Sequence, residues 1–181
     1  MVMRHVIVVN GPPRAGKDTA IDFMQDYLND RLIRTESFSS IDPIKDMLED
    51  FVDLSAKTES DRKLLATVGD AMQEHSMYRT DYSLRVIRIF FRVGRGVFFL
   101  HMREPTLIDV VRKACEAEDI TFTTILLRSS REQLVMSNPA DAGVLNGQYD
   151  IIMRNDGSLD LLRTVCVAWM KSLLSNQPTV D

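Results

Sequence analysis

The sequence predicts an α/β domain with a parallel sheet covered by helices, and three observations predict it. The runs at 5–10 (HVIVVN) and 97–101 (VFFLH) have the uninterrupted apolar character of strands buried on both faces. Amphipathic segments with apolar residues every three or four positions separate the strand candidates. A length of 181 residues suits one domain with its own core.

Taken in order, the first strand at 5–10 runs into a Gly/Pro turn. From Lys17, the residues Ala20, Ile21, Phe23, Met24, Tyr27 and Leu28 mark one face of a helix that fades near Arg31. The segment 32–38 is a weaker strand. Asp42-Pro43 has the composition of a cap and first turn, for a helix reaching Leu48 and Phe51. Helices over 59–77, carrying Leu64, Leu65, Val68, Ala71, Met72 and His75, and over 81–93 make the middle third helical. After the strand at 97–101 come a helix over 107–117 and strands at 122–127 and 149–153. Asp156-Gly157-Ser158 opens a last helix that carries Leu159, Leu162, Val165 and Trp169 inward and ends before Pro178. The alternation β-α-β, helical insert, β-α-β, polar loop, β-α requires parallel strands with right-handed crossovers.

Composition narrows the function. With 45% hydrophobic and 27% charged residues the chain is an ordinary globular sequence, which excludes disordered and fibrous classes. A net charge of -4 argues against a dedicated binder of nucleic-acid polymers, which needs a surplus of Lys and Arg. Cys115 and Cys166 fall in helical segments without metal-ligand spacing, so neither a disulfide framework nor a zinc site is expected. The N-terminal apolar run is too short for a signal peptide, and no stretch of eighteen apolar residues occurs. The expectation is a soluble cytoplasmic protein with no membrane contact.

The chemistry lies in the first turn. Gly11, Pro12, Pro13, Arg14, Ala15, Gly16, Lys17, Asp18 and Thr19 match the G-x-x-x-x-G-K core of a P-loop, between a strand and a helix as its mechanism requires. The glycines let successive N–H groups curl toward a phosphate, the helix N-terminus adds partial positive charge, and Lys17 reaches the β and γ oxygens. The residue after the lysine, usually Ser or Thr, is Asp18. It either holds a magnesium ion, directly or through water, or sits against the helix dipole; Thr19 is the second metal candidate.

Together with this turn, Asp42-Pro-Ile-Lys45, the segment 62–70 (RKLLATVGD), Arg103 after a central strand and Asn155-Asp-Gly-Ser-Leu159 give the chain its resemblance to the bacteriophage deoxynucleoside monophosphate kinases. Phosphomevalonate kinase is similar in the Gly-Lys-Asp turn. The resemblance implies a three-layer P-loop kinase fold with a five-stranded parallel sheet. The core would span 1–40 and 96–181, a helical acceptor-binding insert about 41–95, and a short lid about 129–147. It also implies ATP with magnesium (Mg2+) and, in some members, a dimer.

Carried onto this sequence, the resemblance puts Asp42 and Lys45 in the acceptor pocket, with Lys45 toward the acceptor phosphate; a capped surface helix is the other reading. Gly69 would admit the acceptor, or serve as a helix packing contact. Arg103 would bind the acceptor phosphate. Lys17, Arg128 and Arg131 would act in transfer, with Arg14 as a further phosphate contact. Asn155 and Gly157 would pass the adenine ring, or mark a helix start capped by Asp156 or Ser158.

The family's Asp-x-Arg is His101-Met102-Arg103 here, so the strand-end carboxylate is absent. Asp18 then carries the metal's anionic partner alone, or Glu104 substitutes, or transfer is weakened; His101 is otherwise a neutral core histidine. On the helix over 81–93, Arg85, Arg88 and Arg92 form a narrow stripe in a wide apolar arc. The stripe lines the cleft or stays at a wet edge, and part of the apolar arc suits a homodimer. The expected activity is ATP-dependent phosphorylation of a deoxynucleoside monophosphate. The alternatives are a kinase for another small phosphorylated metabolite and a nucleotide binder without transfer.

Overall fold

In a computed structural model that describes residues 3–56, 58–130 and 143–175, the elements follow the predicted alternation. They are β1 (Arg4–Asn10), α1 (Lys17–Asn29), β2 (Thr35–Ser39), α2 (Asp42–Leu48), α3 (Glu59–Ser76) and α4 (Tyr78–Val93). Then come β3 (Gly96–His101), α5 (Pro105–Glu116), β4 (Thr121–Arg128), β5 (Ile151–Arg154) and α6 (Leu159–Ser175). The strands form one five-stranded sheet in the order β2-β3-β1-β4-β5. Every pairing is parallel.

Period-two alternation along β1 feeds two cores. Ile7 and Val9 pack beneath α1 and α6 with Met24, Leu28, Phe99, Ile125, Leu127, Leu162, Cys166 and Met170. Val6 and Val8 face the other side with Leu84, Ile87, Phe90, Phe98, Leu100, Ile108 and Val111, beneath α4 and α5. The result is three layers, and α4 belongs to the layer that covers the sheet as well as to the insert.

Four local readings shift. Leu32 is 96% exposed and has φ 58, so the residues after α1 make a left-handed turn and β2 starts only at Thr35. Asp42 lies in the first turn of α2, one residue past the cap position at Ile41, and its carboxylate accepts from the Ser39 N–H. Met77, with φ 55, joins α3 to α4 without a linker, so α4 begins three residues before the predicted 81. Leu159, the first residue of α6, is 65% exposed, whereas Val165 and Trp169 do pack, partly buried, against the core beside the buried Leu162, Cys166 and Met170.

Both cysteines are free and buried in helices, as expected. Burial pushes the Cys115 thiol up to about 12 and the Cys166 thiol up to about 11. Among the described residues, no helix is long and apolar enough to cross a membrane.

Candidate active site

The turn between β1 and α1 is held by its own backbone. Gly11 and Gly16 have φ 155 and 93, and Arg14, exposed at the tip, has φ 63. A Cβ on Gly11 would run into the Leu127 carbonyl, and one on Gly16 would lie 2.6 Å from Asn155 Nδ2, so neither site accepts a side chain. The Ala15 N–H donates to the Pro12 carbonyl at 3.2 Å. Lys17 Nζ donates to the carbonyls of Gly11 and Pro12 at 2.8 and 2.9 Å, which folds the ammonium back over the loop. Asn155 donates from Nδ2 to the Ala15 carbonyl at 3.0 Å. Its own backbone is tied to β4, because its N–H donates to the Arg128 carbonyl and its carbonyl accepts from Ser129 Oγ.

Asn155 therefore supports the loop from behind. Of the two predicted caps for α6, Ser158 fills the role by accepting from the Leu161 N–H, while the Asp156 carboxylate accepts from the Ser130 N–H. Gly157 lies in the same loop, against Leu161.

Asn10, the last residue of β1, was missed from sequence. It is 1% exposed and its side chain is fully used: Oδ1 accepts from the Gly11 N–H, and Nδ2 donates to the Arg103 carbonyl at 2.9 Å and to the Tyr149 hydroxyl at 3.1 Å. The only sequence signal was a polar residue closing an apolar run. Tyr149 donates in turn to the Val144 carbonyl, and burial pushes its phenol up to about 12.

On the facing side, Lys45 Nζ and Asp42 Oδ1 are 2.6 Å apart, with both side chains 42% exposed. Arg103 is exposed just beyond β3, at the carboxyl ends of the strands where α/β folds place ligands. Gly69 is buried, and a Cβ there would come within 3.0 Å of Ile41, 3.3 Å of Ile44 and 3.5 Å of Arg79, which suits the packing reading of this glycine. Arg128, half-buried, ends β4. Arg131 and most of the expected lid lie outside the described residues.

Glu104 is committed elsewhere. Arg79, buried at the start of α4, donates Nη1 and Nη2 to the two Glu104 oxygens at 2.9 and 2.7 Å, so this carboxylate is bound to a guanidinium and not offered to a metal. Arg79 also reaches Ser40 Oγ, and its Nη1 stands 3.5 Å from Asp70. Nothing in the sequence marked Arg79, since a helix arginine reads as surface charge.

His101 sits between the two sides. Its Nε2 lies 2.7 Å from Ser37 Oγ and its Nδ1 3.8 Å from Asp18 Oδ1. Burial holds its pKa below the ordinary value, opposed by Asp18 and Asp42 and reinforced by Lys17 and Lys45, so the imidazole is neutral near pH 7. It is thus a neutral, hydrogen-bonded histidine that also stands beside Asp18.

For a metal, the described residues contain no cluster of three His, Cys, Asp or Glu side chains. The Asp18 carboxylate, 89% exposed, and the half-buried Thr19 offer two hard oxygen donors. That set is too small to cage an ion but fits magnesium brought in on phosphate oxygens. The arginine stripe on α4 lies at the wet edge: Arg85, Arg88 and Arg92 are exposed, and Arg88 pairs with Glu118 at 2.6 Å.

No protein-family model matches this chain, and no curated protein sequence matches it. Solved structures do. The crystal structure of APE1195 is similar over 96% of this chain and 98% of its own, at 15% identity and a TM-score of 0.61. The APS kinase CysC of Mycobacterium tuberculosis in complex with AMPPNP and APS is similar over 94% of this chain and 99% of its own, at 12% identity and a TM-score of 0.58. A cysteine-to-alanine variant of the same enzyme gives 13% identity and a TM-score of 0.56 over the same shares of the two chains. The chain has the P-loop kinase fold.

Proposed function

We propose that this chain is an ATP-dependent phosphotransferase that moves the γ-phosphoryl group to a small phosphorylated acceptor, with a deoxynucleoside monophosphate as the favoured acceptor. One observation carries the reading: a strained glycine turn with Lys17 stands at the head of α1 beside His101, whose ring feels the charges of both Lys17 and Lys45, and Arg103 follows two residues later just beyond β3. An acceptor that is itself a phosphate needs no strong base, so alignment and positive charge are what the protein must supply.

In this reading the N–H groups of 11–16 and the α1 N-terminus hold the phosphate tail, and Arg14 touches it from the tip. Lys17 exchanges its loop carbonyls for β and γ oxygens. Lys45, freed from Asp42, and Arg103 hold the acceptor phosphate in line, and Arg128 and Arg131 neutralise charge that develops on the equatorial oxygens. Asp18 and Thr19 would hold magnesium, which would supply positive charge to offset that of the phosphate oxygens. A homodimer through α4, where Ile89 and Val93 are exposed, belongs to the same proposal and is tested by gel filtration at several concentrations.

The fold similarity to an APS kinase bound to AMPPNP supports the use of ATP, and the Asp42-to-Lys45 and Asn155-to-Leu159 segments support the acceptor class. A coupled ADP-release assay with ATP, magnesium and a panel of nucleoside monophosphates, beside phosphomevalonate, decides among acceptors. Tight ATP binding without turnover on any acceptor replaces the kinase by a nucleotide binder, the reading that the histidine at 101 favours.

A further inference from the structure

The residue that departs from the family pattern has a geometry of its own. Ser39 is the register partner of His101, yet the ring leans back to Ser37, two positions upstream on β2, where Oγ meets Nε2 at 2.7 Å. That contact turns the other nitrogen toward α1, and Nδ1 comes within 3.8 Å of Asp18 Oδ1. We infer that His101 is a positioning residue for Asp18, with Ser37 anchoring the ring so that Nδ1–H is presented to the Asp18 carboxylate.

A neutral imidazole carries one N–H, and a carboxylate only accepts, so the nitrogen facing Asp18 is the one that holds the proton. Nε2 is then the acceptor, and the Ser37 hydroxyl, which can rotate to either role, donates to it. Asp18 is 89% exposed on the first turn of α1, so a small side-chain rotation closes 3.8 Å to hydrogen-bond distance. One carboxylate oxygen is then engaged and the other faces the cleft.

A carboxylate at position 101 could not do this. It would repel Asp18 and add negative charge where two phosphates must meet, whereas an imidazole N–H held by Ser37 orients Asp18 without adding to that charge. The role given to Asp18 rests on the phosphoryl-transfer reading; the tautomer of His101 does not.

Two measurements test the inference. The chain has 3 histidines, so long-range proton–nitrogen correlation spectra of the whole protein near pH 7 can be assigned by the loss of one ring in His101→Gln. The His101 ring is expected as the Nδ1–H tautomer and to shift toward Nε2–H in Asp18→Ala; an Nε2–H ring in the unsubstituted protein overturns the proposal, as does an unchanged tautomer in Asp18→Ala. The second is calorimetry of ADP with and without magnesium. An asparagine amide can stand where Nδ1 stood and a glutamine amide where Nε2 stood, so His101→Asn should keep the magnesium-dependent gain in ADP affinity within about twofold while His101→Gln loses about tenfold of it. Equal behaviour of the two variants overturns the positioning role. If ADP does not bind at all, the phosphotransferase reading fails while the spectra still judge this one.

Discussion

The Asn155 side-chain amide donates to the Ala15 carbonyl at 3.0 Å, joining the loop before α6 to the middle of the β1–α1 turn across 140 residues of sequence. It also occupies the space that a Cβ on Gly16 would need. Removing it frees a turn whose two glycines and Arg14 are already in left-handed conformations. Asn155→Ala should weaken ADP binding about fivefold to tenfold, with a stability loss of about 1 kcal/mol, the usual value of one hydrogen bond. Calorimetry and urea titration measure the two, and unchanged nucleotide affinity would remove Asn155 from the support of the turn.

Lys17 bonds two carbonyls of its own loop, so its replacement should cost about 2 kcal/mol of stability but far more in transfer. Lys17→Ala should lower turnover by at least about a hundredfold, the scale seen when one preorganised electrostatic donor is removed. A cooperative thermal melt would show that the fold is intact. Retention of turnover would sink the phosphotransferase mechanism.

Asp18 offers its carboxylate to solvent beside the turn. Asp18→Asn should therefore reduce magnesium-dependent turnover far more than metal-free nucleotide binding. Equal losses in both assays would mean that the side chain serves only the helix dipole.

The pair of Arg79 and Glu104 ties the insert to the end of β3 through two charge-assisted bonds, with Arg79 5% exposed. Glu104→Ala leaves that guanidinium buried with Ser40 and a more distant Asp70, and should cost about 3 kcal/mol. Urea denaturation reads it directly; a loss below about 1 kcal/mol would class the pair with surface ion pairs.

His5 gives the pH dependence. It is 1% exposed, its Nε2 meets Thr123 Oγ1 at 2.9 Å, and burial, partly opposed by Asp150, lowers its pKa to about 4. The folded value lies below the unfolded one of about 6.5, so the unfolded chain takes up the proton first. The stability is complete above pH 6.5 and is lost as pH falls toward 4, by about 3 kcal/mol. Comparison with His5→Gln by urea titration at pH 7 and pH 4 isolates this group from the carboxylates. A stability difference that stays constant across that range would contradict it.

How much was legible depended on the range of each interaction. The β1 and β3 strands were readable because a strand covered on both faces must be apolar throughout, and the β1–α1 turn because its geometry demands glycine at two positions. Leu159 was misplaced because it keeps the apolar spacing of α6 but is its first residue, and periodicity alone does not show where a buried stripe runs out into solvent. Asn10 and Arg79 were missed because a buried polar residue has no periodic signature. His101 was visible as a departure from a pattern, but Ser37 and Asp18 were not visible as its neighbours.

By itself the sequence determined the alternation of elements, the parallel sheet they imply and the place of the glycine turn, since these depend on residues a few positions apart. Only the tertiary structure decided that Glu104 belongs to Arg79, that Asn155 braces Ala15 and that His101 faces Asp18. Those partners meet because the crossovers bring strand ends together, and their directions follow from the packing of helices on the sheet, which no local pattern of residues contains.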